Sequence, residues 1–273
     1  GSARRYLHSL WLLSARDLKV RYSTSALGYV WSVLDPLVMS VIYWFVFTLV
    51  FQRDGIGGEP YIVFLLAGLL PWVWFNSSVS DFTKAFKRDA KLVRSTAIPR
   101  SIWVGRIGLS KGVEFLFSIP VLILFALFAR PQVQWNPLIL LFPLGVLLQT
   151  VLLVGLGLLV APLCALWGDL ERTTRLILRA LFYASPIIYG LSDLPSPFRE
   201  LALLNPLSGI FTLYRSGMFP EEWTLPAVGA AAAMSLSEAV GWSARTVIAA
   251  SSIALRVRSR GPLCVAAEPV MDQ

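Results

Sequence analysis

The length of its charge-free runs constrains this chain more than any other feature. Ala26 to Phe51 holds one ionisable residue, Asp35; Pro60 to Ser80 holds none; Gly112 to Ala129 holds only Glu114; and 38 uncharged residues separate Arg130 from Asp169. A helix needs roughly 20 predominantly apolar residues to cover about 30 Å of hydrocarbon. Ala180 to Ser192 is shorter and needs the preceding turn, with Arg175 and Arg179 snorkelling, to reach across. Trp223 to Ser237 is uncharged and Ala-rich, and Glu238 and Arg245 interrupt it before Thr246 to Leu255 resumes. The expectation is an all-α membrane protein with six spans, at about 26–51, 60–80, 112–129, 138–167, 176–192 and 223–250. Residues 1–25 precede the spans as an amphipathic helix, 26–255 form one transmembrane domain, and 256–273 a tail. With 56% hydrophobic and 15% charged residues, against about 25% charge in soluble domains, a conventional cytosolic enzyme, a disordered segment and a secreted disulfide scaffold are all excluded.

Lys and Arg accumulate in cytoplasmic loops, so the positions of the 24 cations set an expected topology. Five precede Ser25, eight fall in 83–111, three in 168–179 and four near the C-terminal end, while the alternate loops hold Arg53, Arg130, Arg199 and Arg215. That alternation places both termini in the cytoplasm and asks for an even number of spans.

The segments between spans have their own patterns. In residues 5–22, Leu7, Leu10, Trp11, Leu18 and Tyr22 recur at helical spacing while Arg5, Arg16 and Lys19 lie opposite, which describes an interfacial helix. Its Asp17 and Arg21 form an i, i+4 pair of favourable order. It is either a surface anchor or a docking surface for a cytoplasmic partner. In 83–111, Lys84, Lys87, Arg88, Asp89, Lys91 and Arg94 punctuate a stretch in which Phe82, Phe86 and Val93 share a face, ended by Ile98-Pro99-Arg100. The cations alone satisfy the positive-inside rule, but two exposed aromatics on a short helix ask for a protein groove. Between Pro195 and Phe219, prolines at 195, 197 and 206 deny a continuous helix, and two short re-entrant helices at the outer face are expected.

Chemistry-bearing motifs are scarce. Gly105-Arg-Ile-Gly-Leu-Ser-Lys-Gly lacks the glycine-lysine-hydroxyl order of a phosphate loop, so nucleotide hydrolysis is expected in another subunit and no cofactor in this one. One histidine and two distant cysteines give no metal-ligand spacing. Asp35, Glu114 and Glu238 are the only mid-span carboxylates, and the first two sit near span ends, where snorkelling or capping explains them. Aromatics are plentiful instead. Tyr29, Ser32, Pro36, Ser40, Tyr43 and Phe47 share a face of the first span, and the second ends in Pro71-Trp-Val-Trp-Phe-Asn-Ser-Ser. Interfacial belts account for rings of this kind; the alternative is a sugar pathway, with Tyr29, Tyr43, Trp72, Trp74, Phe75, Tyr183 and Tyr189 as its lining.

Four motifs in register carry a resemblance over roughly residues 5–220. Arg16-Asp-Leu-Lys-Val-Arg-Tyr-Ser-Thr-Ser-Ala-Leu-Gly-Tyr-Val-Trp-Ser-Val-Leu-Asp-Pro-Leu is followed by Ala90-Lys-Leu-Val-Arg with Ile98-Pro-Arg. Gly168-Asp-Leu-Glu-Arg with Tyr183-Ala-Ser-Pro-Ile-Ile-Tyr, and then Leu204-Asn-Pro-Leu, complete the set. Together they resemble the permease subunits of type-2 ABC exporters, in the branch that exports lipid-linked polysaccharide such as O antigen, teichoic acid or galactan. The resemblance implies a homodimer in the bacterial inner membrane, two copies of a separate ATPase that holds ATP and Mg, and a glycan carried on polyprenyl pyrophosphate. No nucleic acid is implied.

The resemblance makes residues 5–22 an interface helix, with Trp11, Arg16, Lys19 and Arg21 on it. It makes Phe82 to Arg94 a coupling helix, with Phe82, Lys84, Phe86, Lys87, Arg88, Lys91 and Arg94, joined by Asp169, meeting the ATPase. It also implies a strongly apolar last span and a short basic tail, from which this chain departs after about Leu236. A drug or small-lipid exporter of the same superfamily is the alternative. A membrane-embedded lipid-modifying enzyme is the remote one, and it lacks an acid, base or metal cluster to work with.

Overall fold

The computed structural model describes residues 2–23, 30–50, 61–88, 100–128, 133, 135–222 and 224–237, and every regular element among them is helical. Helix α1 is Ser2–Ser23. Helix α2, Val30–Trp44, widens into a π-type segment over Phe45–Val50. Tyr61–Phe82 forms α3 and Ala85–Arg88 the single turn α4. Arg100–Phe128 is α5. Phe142–Leu166, entered through a 3-10 turn at Pro137–Leu141, is α6. Then come α7, Leu170–Ala184, α8, Ser196–Leu203, α9, Pro206–Arg215, and the Ala-rich α10, Leu225–Ser237.

Among the described residues, Tyr61–Phe82, Ser101–Phe128 and Pro137–Leu166 are long and apolar enough to cross a membrane. Helix α3 is the axis of the bundle: it is apolar all round and buried along most of its length, as a helix surrounded by others must be. Pro71 interrupts its hydrogen-bond ladder, and Gln149 of α6 donates its side-chain amide to the Pro71 carbonyl at 2.8 Å. The Tyr214 hydroxyl of α9 donates in turn to the Gln149 carbonyl oxygen at 2.9 Å, so one buried polar chain ties three helices together. Outside this core α5 and α6 turn apolar side chains outward, Leu116, Phe117, Leu124 and Leu147 among them, as a surface facing hydrocarbon requires.

Three boundaries differ from the sequence expectation. The third span was expected from residue 112, but α5 starts at Arg100 and carries Arg106 and Lys111 into buried positions. Both cations are neutralised on site, which lets the helix continue through them. Arg106 donates to Asp17 of α1 at 2.9 Å and stacks over Trp103, and Lys111 pairs with Glu114 at 3.0 Å and Asp81 at 3.9 Å. Glu114 is therefore an ion-pair partner, not a snorkelling carboxylate. The fifth span, expected over 176–192, is a helix only from Leu170 to Ala184. Ser185 takes an extended conformation (φ −98, ψ 145) because Pro186 follows it. Of the expected first and last spans, residues 26–29, 51, 223 and 238–250 lie outside the described residues, as does the expected tail at 256–273.

Helix α1 lies along the start of α5. Leu10 reaches the Gly105 backbone, where an added methyl would sit 3.1 Å away, and Tyr6 donates to Ser101 at 3.2 Å. The Asp17–Arg106 pair closes that seam. Replacing Asp17 with Asn keeps the shape but removes the counter-charge of a buried guanidinium, and the seam should weaken by about 1–3 kcal/mol. Hydrogen exchange along α1 reads the effect: faster exchange confined to α1 is expected, and unchanged exchange would show that the pair does not hold the helix.

Candidate functional site

Two helices present matching stripes to each other. On α3, Leu69, Trp72, Asn76 and Ser80 recur at three- and four-residue steps, and on α7 so do Arg175, Leu178, Arg179, Phe182 and Tyr183. At 3.6 residues per turn each set falls on one side of its helix. Between the stripes, with Met39 of α2 at the margin, lies a cavity of about 650 Å³. Trp72 and Phe182 form its aromatic wall with centroids 5.5 Å apart, and Tyr183 stands edge-on to Phe182 at 5.2 Å. Asn76 and Ser80 add an amide and a hydroxyl, and Arg175 and Arg179 make one end cationic. A ring wall beside hydrogen-bonding groups and guanidinia suits a ligand with C–H faces, hydroxyls and negative charge.

The expected channel set divides at this cavity. Trp72 and Tyr183 line it, and the Tyr183 side chain remains 70% exposed. Trp74 and Phe75 do not. Trp74 stacks on Phe115 of α5 at 5.0 Å, above the gap left by Gly112, and Phe75 is buried in the same apolar core. Two residues apart on a helix means about 200°, so Trp72 and Trp74 face nearly opposite directions. Tyr189 lies in the segment after α7 and donates its hydroxyl to the Tyr183 carbonyl at 2.9 Å, holding that segment against the end of α7. Tyr29 and the Tyr43 side chain fall outside the described residues.

The expected coupling set is also divided. Phe82, read as exposed, is the last residue of α3 and only 1% exposed. Its ring fills the notch at Gly157 of α6, where an added methyl would come within 2.9 Å of it. Phe86 packs partly buried against the core from α4. Lys84, in the turn between α3 and α4, is exposed and reaches Glu171 of α7 at 3.7 Å. Asp169, exposed at the start of α7, accepts the Thr173 amide on its carbonyl at 3.1 Å. The side chains of Lys87 and Arg88, and Lys91 and Arg94 altogether, lie outside the described residues. On α1, Trp11 is 60% exposed and Arg16 and Lys19 are exposed with it, facing away from α5; the Arg21 side chain is outside the description.

At the other end of α3 a polar knot holds the non-helical segment after α7. Arg215, the last residue of α9, is buried and donates to the carbonyls of Pro186 at 2.6 Å and Ile187 at 2.8 Å, its guanidinium lying over Phe64 at 3.6 Å. Tyr61 donates to the Ile188 carbonyl at 2.9 Å. Glu222 accepts from the Leu191 amide at 2.9 Å and the Ser192 hydroxyl at 2.6 Å. Sequence reading placed Arg215 in an outer loop and missed Gln149 and Glu222. It also took Arg175 and Arg179 as snorkelling residues and left Asn76 and Ser80 unassigned. The legible signal was the recurrence of Asn76 and Ser80 one and two turns after Trp72.

Comparison with known proteins finds that residues 8–219 match the family described as ABC-2 type transporter. Over 206 residues the chain is 34% identical to the O-antigen export system permease protein RfbA of Klebsiella pneumoniae, covering 75% of this chain and 77% of that one. It is 29% identical over 237 residues to RfbA of Myxococcus xanthus, covering 86% and 89%. It is 25% identical over 213 residues to the polysialic acid transport protein KpsM of Escherichia coli, covering 76% and 80%.

Proposed function

The chain belongs to the ABC-2 type transporter family and is an integral membrane transport subunit; on that premise we propose that it forms the membrane pathway of an ATP-driven exporter of lipid-linked polysaccharide. The observation that carries this reading is the cavity between α3 and α7, whose rings, amide, hydroxyl and guanidinia match a glycan bearing negative charge. Similarity to permeases named for O-antigen export and for polysialic acid transport supports the substrate class.

Two copies of the chain make the pathway. Beside the cavity, α2 and α7 expose Val38, Val41, Leu176 and Ile177; a second copy laid against them covers that apolar surface and walls the cavity into a channel. The end of the bundle bearing α1, α4 and the start of α7 faces the cytoplasm, in keeping with the distribution of cations. A separate ATPase, two copies per complex, meets it there. Helix α1 is the interface helix, with Trp11, Arg16 and Lys19 on its outer face. Phe86, Lys84 and Asp169 border the docking surface, while Phe82 anchors α3 from inside. ATP and Mg belong to the ATPase. The segment of α8 and α9 then lies toward the outer face as the re-entrant pair.

Deleting the gene in its host tests the reading. Surface polysaccharide should be lost and lipid-linked polymer should accumulate inside the cell, and the chain supplied in trans together with its ATPase should restore both. Normal surface polymer without the chain would overturn the assignment.

A further inference from the structure

The arginine end of the cavity has a more specific use. Arg172, Arg175 and Arg179 all lie on α7, yet only Arg175 and Arg179 share the stripe that carries Phe182 and Tyr183 toward Trp72. Both are exposed, and both border the same cavity as Trp72, Phe182 and Tyr183. They sit four residues apart on one face, an arrangement of like charges that disfavours the bare helix. Arg175 is compensated by Glu171 at 2.7 Å. Arg179 has no ion-pair partner among the described residues.

We propose that Arg179 and Arg175 form a subsite for the diphosphate that joins lipid to glycan, with the first sugar against Trp72 and Tyr183 and its hydroxyls within reach of Asn76 and Ser80. This deepens, and rests on, the polysaccharide-export reading. A guanidinium offers paired N–H donors that match phosphate oxygens, and two of them one helical turn apart match two phosphate groups. Glu171 gives the site a release. Its carboxylate lies between Arg175 and Lys84, 3.7 Å from the latter, so that Arg175 turning to the ligand leaves Glu171 paired with Lys84. Lys84 belongs to the turn after α3, at the end assigned to the ATPase, and that shared carboxylate connects occupancy of the cavity to the docking surface.

The test is isothermal titration of the full chain in phosphatidylcholine nanodiscs with farnesyl diphosphate, beside farnesol and beside nanodiscs enriched in phosphatidylglycerol. Farnesyl diphosphate should bind and farnesol should not. Arg179→Gln and Arg175→Gln should each weaken binding by about tenfold or more, the worth of a charge-assisted pair, and Arg172→Gln should leave it unchanged. Arg179→Lys, which keeps the charge and loses the fork, should fall between and covers the case in which the glutamine variant fails to fold. Equal binding of farnesol, binding unchanged in the Arg175→Gln, Arg179→Gln double variant, or complete competition by phosphatidylglycerol would each overturn the subsite. The two readings fail separately. Arginine-dependent binding in a chain whose deletion leaves surface polysaccharide intact upholds the subsite and removes the export role, whereas arginine-independent binding in a chain required for export does the reverse.

Discussion

Replacing Arg215 with Met should cost this protein several kcal/mol while leaving its helices formed. The side chain is fully buried and its two donated hydrogen bonds are what satisfy the Pro186 and Ile187 carbonyls, which lie beyond the end of α7 at Ala184 and outside any helical ladder. Each carbonyl left without a donor costs about 1–3 kcal/mol, and Glu222, which faces the same segment, loses a neighbouring cation as well. Arg215→Lys keeps the charge but cannot reach both carbonyls with a planar fork, and should recover only part of the loss. Space at this site is equally specific: an added methyl at Gly68 would collide with the Arg215 guanidinium. The measurement is the unfolding midpoint in detergent, expected to fall on the order of 10 °C at about 2–4 °C per kcal/mol for a chain of this size, with accelerated hydrogen exchange over 185–192. An unshifted midpoint with native exchange in that segment would show that Arg215 does not hold it.

Gly209→Ala should be comparably severe despite adding one methyl group. Gly209 lies on the face of α9 that meets α10, where an added Cβ would collide with the Ala227 carbonyl oxygen and come within 2.6 Å of the Ala231 methyl. A carbonyl oxygen in the backbone of a helix has no rotamer through which to retreat, so α10 must move away bodily, and overpacking of this kind costs about 1–3 kcal/mol or more. Ala231→Gly removes one of the two collisions and should restore only part of the stability, since the backbone contact remains. A cysteine at Ala231, fully buried in the parent protein, reports the separation: it should resist a thiol reagent in the parent background and react in the Gly209→Ala background. Equal reactivity in both would mean that α10 tolerates the methyl, and the close approach would be disproved. Small residues at helix crossings serve the purpose hydrophobic burial serves in water, because apolar surface between helices gains little when lipid is the alternative.

How far the chain could be read in advance depended on which property decided each element. The second and fourth charge-free runs became α3 and α6 within a few residues, since a run of apolar residues in a helix is self-sufficient in hydrogen bonds and needs no neighbour to form. Prolines at 195 and 206 broke the following segment into α8 and α9 as expected, because Pro denies the backbone a donor wherever it stands. The start of α5 was not legible. Counting charge stops a span at Lys111, whereas Asp17, Asp81 and Glu114, drawn from three helices, neutralise Arg106 and Lys111 inside the fold.

The aromatic residues show the same division most sharply. Composition alone says that Trp72, Trp74, Phe75 and Tyr183 lie in or beside apolar helices, and a belt or a lining explains that equally well. Only the positions of α5 and α7 on opposite sides of α3 send Trp74 against Phe115 and Trp72 into the cavity beside Tyr183. Hydropathy sums a property over a helix, so by itself the sequence determined which segments form long apolar helices and where proline stops them. Which face of each helix meets a partner is a vector, and it exists only once the neighbours are placed; that is why the buried Arg215, the orientation of Arg175 and Arg179, and the closeness of Gly209 to α10 were decided by the tertiary structure alone.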